Sequence, residues 1–197
     1  LAIALAQIGR KVCVVDCDLR RPRLHKVMEQ DASPGVTNYL TGNASLEEVI
    51  RPTGYAGLDC VLAGPPAPNP VDLLNSGALD ELLKLLDAKY DHILVDAPPA
   101  LGFADVPIIT SRLAGGCIII AEAGSTSRRV AKQGCDFLVR MQSRLLGVVL
   151  NKVGSGRGGY SYYGYGYGYG YGYGHGHSYT ADEGDKDTKS ESLESNA

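Results

Sequence analysis

The chain has 197 residues, 44% of them hydrophobic and 21% charged, with a formal net charge of −3. That length holds one ordinary domain and a tail. No apolar run approaches the ~20 residues of a membrane-spanning helix, and no secretory signal pattern is present.

Composition divides the chain. Residues 1–153 are mixed, with apolar runs punctuated by Gly and Pro. Residues 154–179 are almost wholly Gly and Tyr, and residues 180–197 are polar and acidic. A core domain over 1–153 and a tail over 154–197 are expected. The five cysteines (Cys13, Cys17, Cys60, Cys117, Cys135) are dispersed, odd in number and without a Cys-x-x-Cys pair. They read as small hydrophobes of a reduced, cytoplasmic protein rather than as a disulfide or metal framework.

In chain order, Leu1, Leu5 and Ile8 have helical spacing, and Gly9 closes that helix. No N-terminal cap precedes it, so an incomplete N-terminus is expected. Lys11 to Asp16 predicts a first strand, its four-residue apolar run (Val12-Cys13-Val14-Val15) suiting a parallel strand covered on both faces. Leu24 to Gln30 is a short helical piece, and Ser33-Pro34-Gly35 a turn. Ser45-Leu46-Glu47-Glu48 is a capping box that starts a helix running to about Ile50. Leu58 to Ala63 is a strand. The run Gly64-Pro65-Pro66-Ala67-Pro68-Asn69-Pro70 predicts a stiff loop, neither helix nor interior strand. A helix follows at about 77–89, a strand over Asp91–Asp96, a helix over Asp105–Leu113 and a strand over Gly116–Ala121. A helix at about 127–144 and a strand over Leu146–Asn151 end the pattern. This alternation predicts an α/β layered fold with a mainly parallel sheet. Right-handed crossovers then gather the strand carboxyl ends on one edge, where such sheets bind ligands.

Three aspartates fall on that edge. Asp16 and Asp18 follow the first strand, and Asp96 ends His92-Ile93-Leu94-Val95-Asp96-Ala97-Pro98-Pro99. Magnesium takes hard oxygen ligands and is held by one or two carboxylates plus phosphates. An isolated strand-end aspartate is commonly a turn residue; the pair of motifs is more specific and suggests a magnesium-nucleotide site. Arg20, Arg21, Arg23 and Lys26 form a basic cluster beside it, either a solvated turn or an attractor for ATP or an acidic tyrosine segment. The cluster is short and lacks an aromatic stacking surface, so no nucleic-acid partner is expected.

Val15-Asp16-Cys17-Asp18-Leu19-Arg20-Arg21-Pro22 resembles the second Walker A motif of the bacterial tyrosine kinases, the capsule and exopolysaccharide (CpsD/CapB) family. Leu94-Val95-Asp96-Ala97-Pro98-Pro99 resembles their Walker B. Pro68-Asn69-Pro70-Val71-Asp72-Leu73-Leu74 resembles their Pro-Asn-Pro-x-Glu-Leu-Leu segment, with Asp72 in place of Glu. The resemblance implies a P-loop NTPase-like fold related to the Min and Par ATPases, with ATP and Mg2+ as cofactors. It implies that Asp18 holds magnesium, that Asp96 holds it through water, and that Asp16 orients or deprotonates a tyrosine hydroxyl. Asn151, in Val149-Leu150-Asn151-Lys152, matches the residue that reads the adenine edge; a strand-end turn residue is the plainer alternative. Arg20 matches the motif's arginine, as packing or as a phosphate contact.

The family's first Walker A, Gly-x-x-x-x-Gly-Lys-Ser/Thr, does not occur in these 197 residues. Its backbone N–H groups and Lys cradle the phosphates. The polypeptide is therefore expected to bind ATP poorly, whereas a complete protein would bind it.

Residues 160–179 hold nine of the twelve tyrosines: Tyr160, Tyr162, Tyr163, Tyr165, Tyr167, Tyr169, Tyr171, Tyr173 and Tyr179. With alternating glycine and no aliphatic residue, the segment is expected to be disordered. An adhesive low-complexity strip is one reading; the resemblance implies a phosphoacceptor tail. His175 and His177 form a possible metal pair. The resemblance further implies a ring-forming homo-oligomer, protein tyrosine substrates, and a membrane activator or polysaccharide co-polymerase, fused or separate. It also implies a location at the inner face of the plasma membrane. Two alternatives stay open: a Min/Par-type regulatory ATPase whose tail binds a partner, and a non-enzymatic scaffold within a kinase ring.

Overall fold

The computed structural model describes residues 1–154. Its centre is β1 (Val12–Asp16), a strand whose five residues are all buried. Unbranched polar residues are absent from Val12-Cys13-Val14-Val15, and β-branched side chains pack well on a pleated surface covered on both sides. β3 (Leu58–Val61) and β4 (His92–Asp96) pair parallel on either side of β1. β2 (Ile50–Pro52) adds an antiparallel edge to β3, giving the order β2-β3-β1-β4. β5 (Cys117–Glu122) and β6 (Leu145–Asn151) form a second, parallel two-stranded sheet.

The predicted parallel strands are all present, but they lie in two sheets rather than one. No described strand pairs with the outer edge of β4 or with the free edge of β5. The apolar residues of the second sheet are accordingly half-exposed, Ile120 at 61% and Leu150 at 58%. The expectation of a strand covered on both faces, made for the first strand, holds for β1.

The main core lies on one face of β1. Cys13 and Val15 meet Val36, Val49, Val61, Leu74 and three leucines of α6 (Gly77–Asp87). Those three, Leu79, Leu82 and Leu86, recur at helical spacing and are at most 1% exposed. Each contributes about 2 kcal/mol of burial. On the other face, Val12 and Val14 meet Ala6 of α1 (Ala2–Gln7) and Leu58.

Several helices are short. α2 (Leu24–Val27) is followed by Glu29 with a positive φ, and α4 (Leu46–Val49) starts at the predicted capping box, Glu48 N–H on Ser45 Oγ and Ser45 N–H on Glu48 Oε2. α3 (Val36–Leu40) was not predicted. Its first amides donate to the two residues that follow β3, Val36 to Leu62 at 2.7 Å and Thr37 to Ala63 at 2.9 Å. α5 (Pro70–Leu74) corrects the expectation that Pro70 lies in a stiff loop. Pro70 is the first helical residue, where no N–H is required and the fixed φ is favourable. α7 (Asp105–Thr110) and α8 (Arg128–Arg140) complete the described chain. The expectations for the tail lie outside the described residues.

Candidate active site

β1 and β4 run in register to their ends, and Asp16 pairs with Asp96 across the ladder. The chain leaving β1 stays attached to β4, since Cys17 N–H donates to the Asp96 carbonyl at 2.8 Å. Both acidic loops therefore begin at adjacent strand ends, on the one edge where right-handed crossovers gather them.

Asp16 is fully buried. Its Oδ1 accepts the Asp18 N–H at 3.1 Å and its Oδ2 accepts the Leu24 N–H at 3.3 Å. The carboxyl thus braces the loop from inside. Burial pushes its pKa up to about 6; the two amides oppose this, and the charges of Asp96 and Asp18 add to it. Asp18 is partly exposed, and its Oδ1 accepts the N–H groups of Arg20 and Arg21 at 3.2 and 3.0 Å. Its Oδ2 takes no hydrogen bond among the described residues. Asp96 keeps contact with solvent. The protein around it displaces part of the bulk water, and that effect, with the Asp18 charge second, raises its pKa.

Arg20 is bound where sequence reasoning left its role open. Its Nε donates to Asp105 Oδ2 at 2.6 Å and its Nη2 to Asp105 Oδ1 at 3.1 Å, a two-pronged pair across 85 residues. Asp105 is 1% exposed. The guanidinium also lies 5.0 Å from the centre of the Phe103 ring. The Asp105 carboxylate raises the Arg20 pKa further. Arg20 is therefore withdrawn from the free basic cluster; Arg21, Arg23 and Lys26 remain exposed.

Asn151 ends β6, in register with Glu122 on the second sheet. Its carbonyl accepts the Ala123 N–H, and the neighbouring Lys152 pairs with Glu122 at 2.7 Å. No recorded bond joins Asn151 to the aspartates. Tyr160, Tyr162, Tyr163, Tyr165, Tyr167, Tyr169, Tyr171, Tyr173 and Tyr179, with His175 and His177, lie outside the described residues. Sequence reasoning missed Asp105 and Phe103. Asp105 reads as an ordinary acid in the first turn of a helix, and no local signal ties it to Arg20.

Asp18 and Asp96 offer oxygen donors at neighbouring strand ends, one of Asp18's oxygens still free. A magnesium ion asks for one or two such carboxylates and completes its shell with phosphate oxygens and water. The pair fits that chemistry. No group of three or more acidic, His or Cys side chains forms a metal site among the described residues, so these residues do not supply a complete protein cage.

A family profile described as "ParA: NUBPL iron-transfer P-loop NTPase" matches residues 1–157. The match shows the P-loop NTPase class; the five cysteines here are free and dispersed, and Cys13, Cys17 and Cys60 are buried. The chain is 34% identical over 151 residues to Tyrosine-protein kinase YwqD of Bacillus subtilis (strain 168), covering 77% of this chain and 63% of that protein. It is 38% identical over 160 residues to Tyrosine-protein kinase ptk of Acinetobacter johnsonii, covering 81% of this chain and 22% of that one. The chain thus spans less than two thirds of either relative. Its fold is similar to the crystal structure of the VpsO kinase domain, with a TM-score of 0.73 and 35% identity, over 78% of this chain and 75% of that one.

Proposed function

This chain belongs to the bacterial tyrosine kinases, within the ParA-type P-loop NTPases, and on that premise we propose that the complete protein is an ATP-dependent protein-tyrosine kinase. It phosphorylates its own tyrosine cluster in trans and regulates capsular or exopolysaccharide assembly. The observation that carries this reading is the set of three carboxylates, Asp16, Asp18 and Asp96, at the ends of two strands in register.

Phosphoryl transfer depends on positioning and on charge stabilisation, and magnesium held by Asp18 and, through water, by Asp96 would offset phosphate charge. Asp16, whose oxygens also take the Asp18 and Leu24 amides, orients the tyrosine hydroxyl or accepts its proton. A carboxyl with a pKa raised to about 6 is a better base near neutrality than an ordinary aspartate. Asn151 contacts the adenine edge. Arg20, gripped by Asp105, orients the loop rather than meeting phosphate. The acceptors are the tyrosines between Tyr160 and Tyr179. Each phosphate adds roughly −1.5 to −2 charges, so a modified tail leaves a neighbour's site. The protein works as a ring-forming homo-oligomer in the cytoplasm, held at the inner face of the plasma membrane by an activator or polysaccharide co-polymerase. The 197-residue polypeptide, without a Gly-Lys-Ser/Thr loop, is inactive alone.

The ParA-type profile favours one second reading, a regulatory ATPase whose tail binds a partner. Incubating the complete protein with Mg-ATP and mapping the tail by mass spectrometry separates the two. Phosphate is expected between Tyr160 and Tyr179. ATP hydrolysis with an unmodified tail would remove the kinase reading and leave the switch.

A further inference from the structure

The loop from Cys17 to Leu24 is held at its root, where the Cys17 N–H meets the Asp96 carbonyl, and reaches outward through one side chain. Asp16 holds the amides of Asp18 and Leu24, and Asp18 holds those of Arg20 and Arg21. Among the described residues, the one hydrogen-bonded contact that a side chain of the loop makes to another element is the Arg20 fork on Asp105. Asp105 opens α7, the helix that follows the loop after Asp96. It is buried, and a buried carboxylate without its partner is costly. Phe103, from that same loop, packs against the guanidinium.

We propose that Asp105 is a positioning residue: by gripping Arg20 it fixes the loop that presents Asp18 and locks that loop to the segment leaving Asp96. The chain of contacts is short. Asp105 holds the Arg20 side chain, the Arg20 amide sits on Asp18 Oδ1, and Asp18 is thereby held with its other oxygen free. The two acidic loops then move as one unit. A carboxylate alone does not suffice, because the fork needs two parallel donors on two oxygens, a geometry that Arg provides and Lys does not. The catalytic meaning of this lock rests on the kinase reading above; the lock itself does not.

Asp105→Asn, Arg20→Lys and the double variant of the complete protein test it, with two readouts. Hydrogen exchange by mass spectrometry compares the peptide over 17–24 with peptides from β1 and β3. Each single variant is expected to speed exchange in 17–24 by at least about tenfold, the factor for losing one charge-assisted hydrogen bond. The strand peptides stay at the wild-type rate. The double variant is expected to exchange no faster than either single one, since all three break the same lock. In the kinase assay, kcat falls with the KM for tyrosine peptide unchanged. Unaltered exchange in 17–24 overturns the proposal. So does faster exchange that rises equally in the strands, or single effects that add. If Asp105→Asn fails to fold, Arg20→Lys, which leaves Asp105 a cationic partner, decides alone by the same comparison. A protein that shows the exchange pattern but no kinase activity retains the lock and loses the function proposed above.

Discussion

Replacing Asp16 by Asn should stabilise the protein at neutral pH while abolishing its chemistry. Asp16 is fully buried, and its pKa is raised to about 6, with burial the largest cause. A raised carboxyl pKa means that the folded state binds the proton more tightly than the unfolded state. The stabilising contribution is therefore complete below the unfolded value and is lost as pH rises through about 6. The rise corresponds to about 3 kcal/mol against the charged form; allowing for residual water around the group, about 2 kcal/mol is a fair working figure. Asn is a neutral near-isostere, so it removes that penalty. It keeps an oxygen for one of the two amides, from Asp18 or Leu24, and turns an NH2 toward the other, which costs about 1 kcal/mol. The net expectation is a gain of about 1 kcal/mol at pH 7.5 and a loss of about 1 kcal/mol at about pH 3.5, below the ordinary carboxylate value. Urea denaturation at both pH values measures this. The difference between the two conditions, about 2 kcal/mol in favour of the variant at the higher pH, does not depend on the cost assigned to the lost amide bond. Tail phosphorylation should fall by about 10²-fold or more if Asp16 takes the proton. A variant that is less stable than wild type by the same amount at both pH values would refute the reasoning, because Asp16 would then be an ordinary hydrogen-bonded aspartate.

Gly35→Ala should be strongly destabilising. A Cβ there would lie 2.1 Å from the Leu62 carbonyl oxygen and 2.4 Å from the Gly64 nitrogen. Both are backbone atoms, so α3 must move off β3, at a cost of about 3 kcal/mol or more in thermal or urea unfolding. Ser45→Ala removes the capping oxygen of α4 and should cost about 1 kcal/mol in the same assay. The 197-residue polypeptide should show no micromolar binding of Mg-ATP by calorimetry, because it contains no Gly-Lys-Ser/Thr sequence; micromolar binding would mean that these residues alone suffice for the nucleotide.

The parts that were legible in the sequence are those whose signal is local. β1 and β4 are continuous apolar runs that end in Asp, whereas their pairing, with Asp16 opposite Asp96, is seen only in the structure. The capping box of α4 was readable because it spans four residues. α3 was not, since Val36-Thr37-Asn38-Tyr39-Leu40 contains β-branched and aromatic residues that read more like a strand. It becomes helical because buried Gly35 lets the backbone approach Leu62, and because the Gly35 amide donates to the Asn38 side chain at 3.0 Å. β2 has three residues and ends in Pro52, so only its partner β3 defines it. Pro70 was misread because its missing N–H argues against helix everywhere except the first turn. The Arg20–Asp105 pair had no sequence signal at all: its geometry depends on how the loop after β4 returns beside the loop after β1.

The burial of Asp16 also changes what the acidic motif means. A strand-end Asp-x-Asp reads as two side chains facing a ligand. In the structure only the second is partly open, and the first is spent on the backbone of the loop that carries it. Stability alone does not explain the choice of residue. At neutral pH an ionised Asp16 is disfavoured by burial and by the charges of Asp18 and Asp96, and Asp96 is disfavoured in the same sense. Such a group of like charges is retained against its own repulsion where a function uses it, since pKa values perturbed together at one edge of a sheet mark sites that bind cations or move protons. The lock from Asp105 fits the same logic. Carboxylates that repel one another will spread unless the loops bearing them are tied, and the tie here is a cation, Arg20, placed beside the cluster and held by an aspartate outside it.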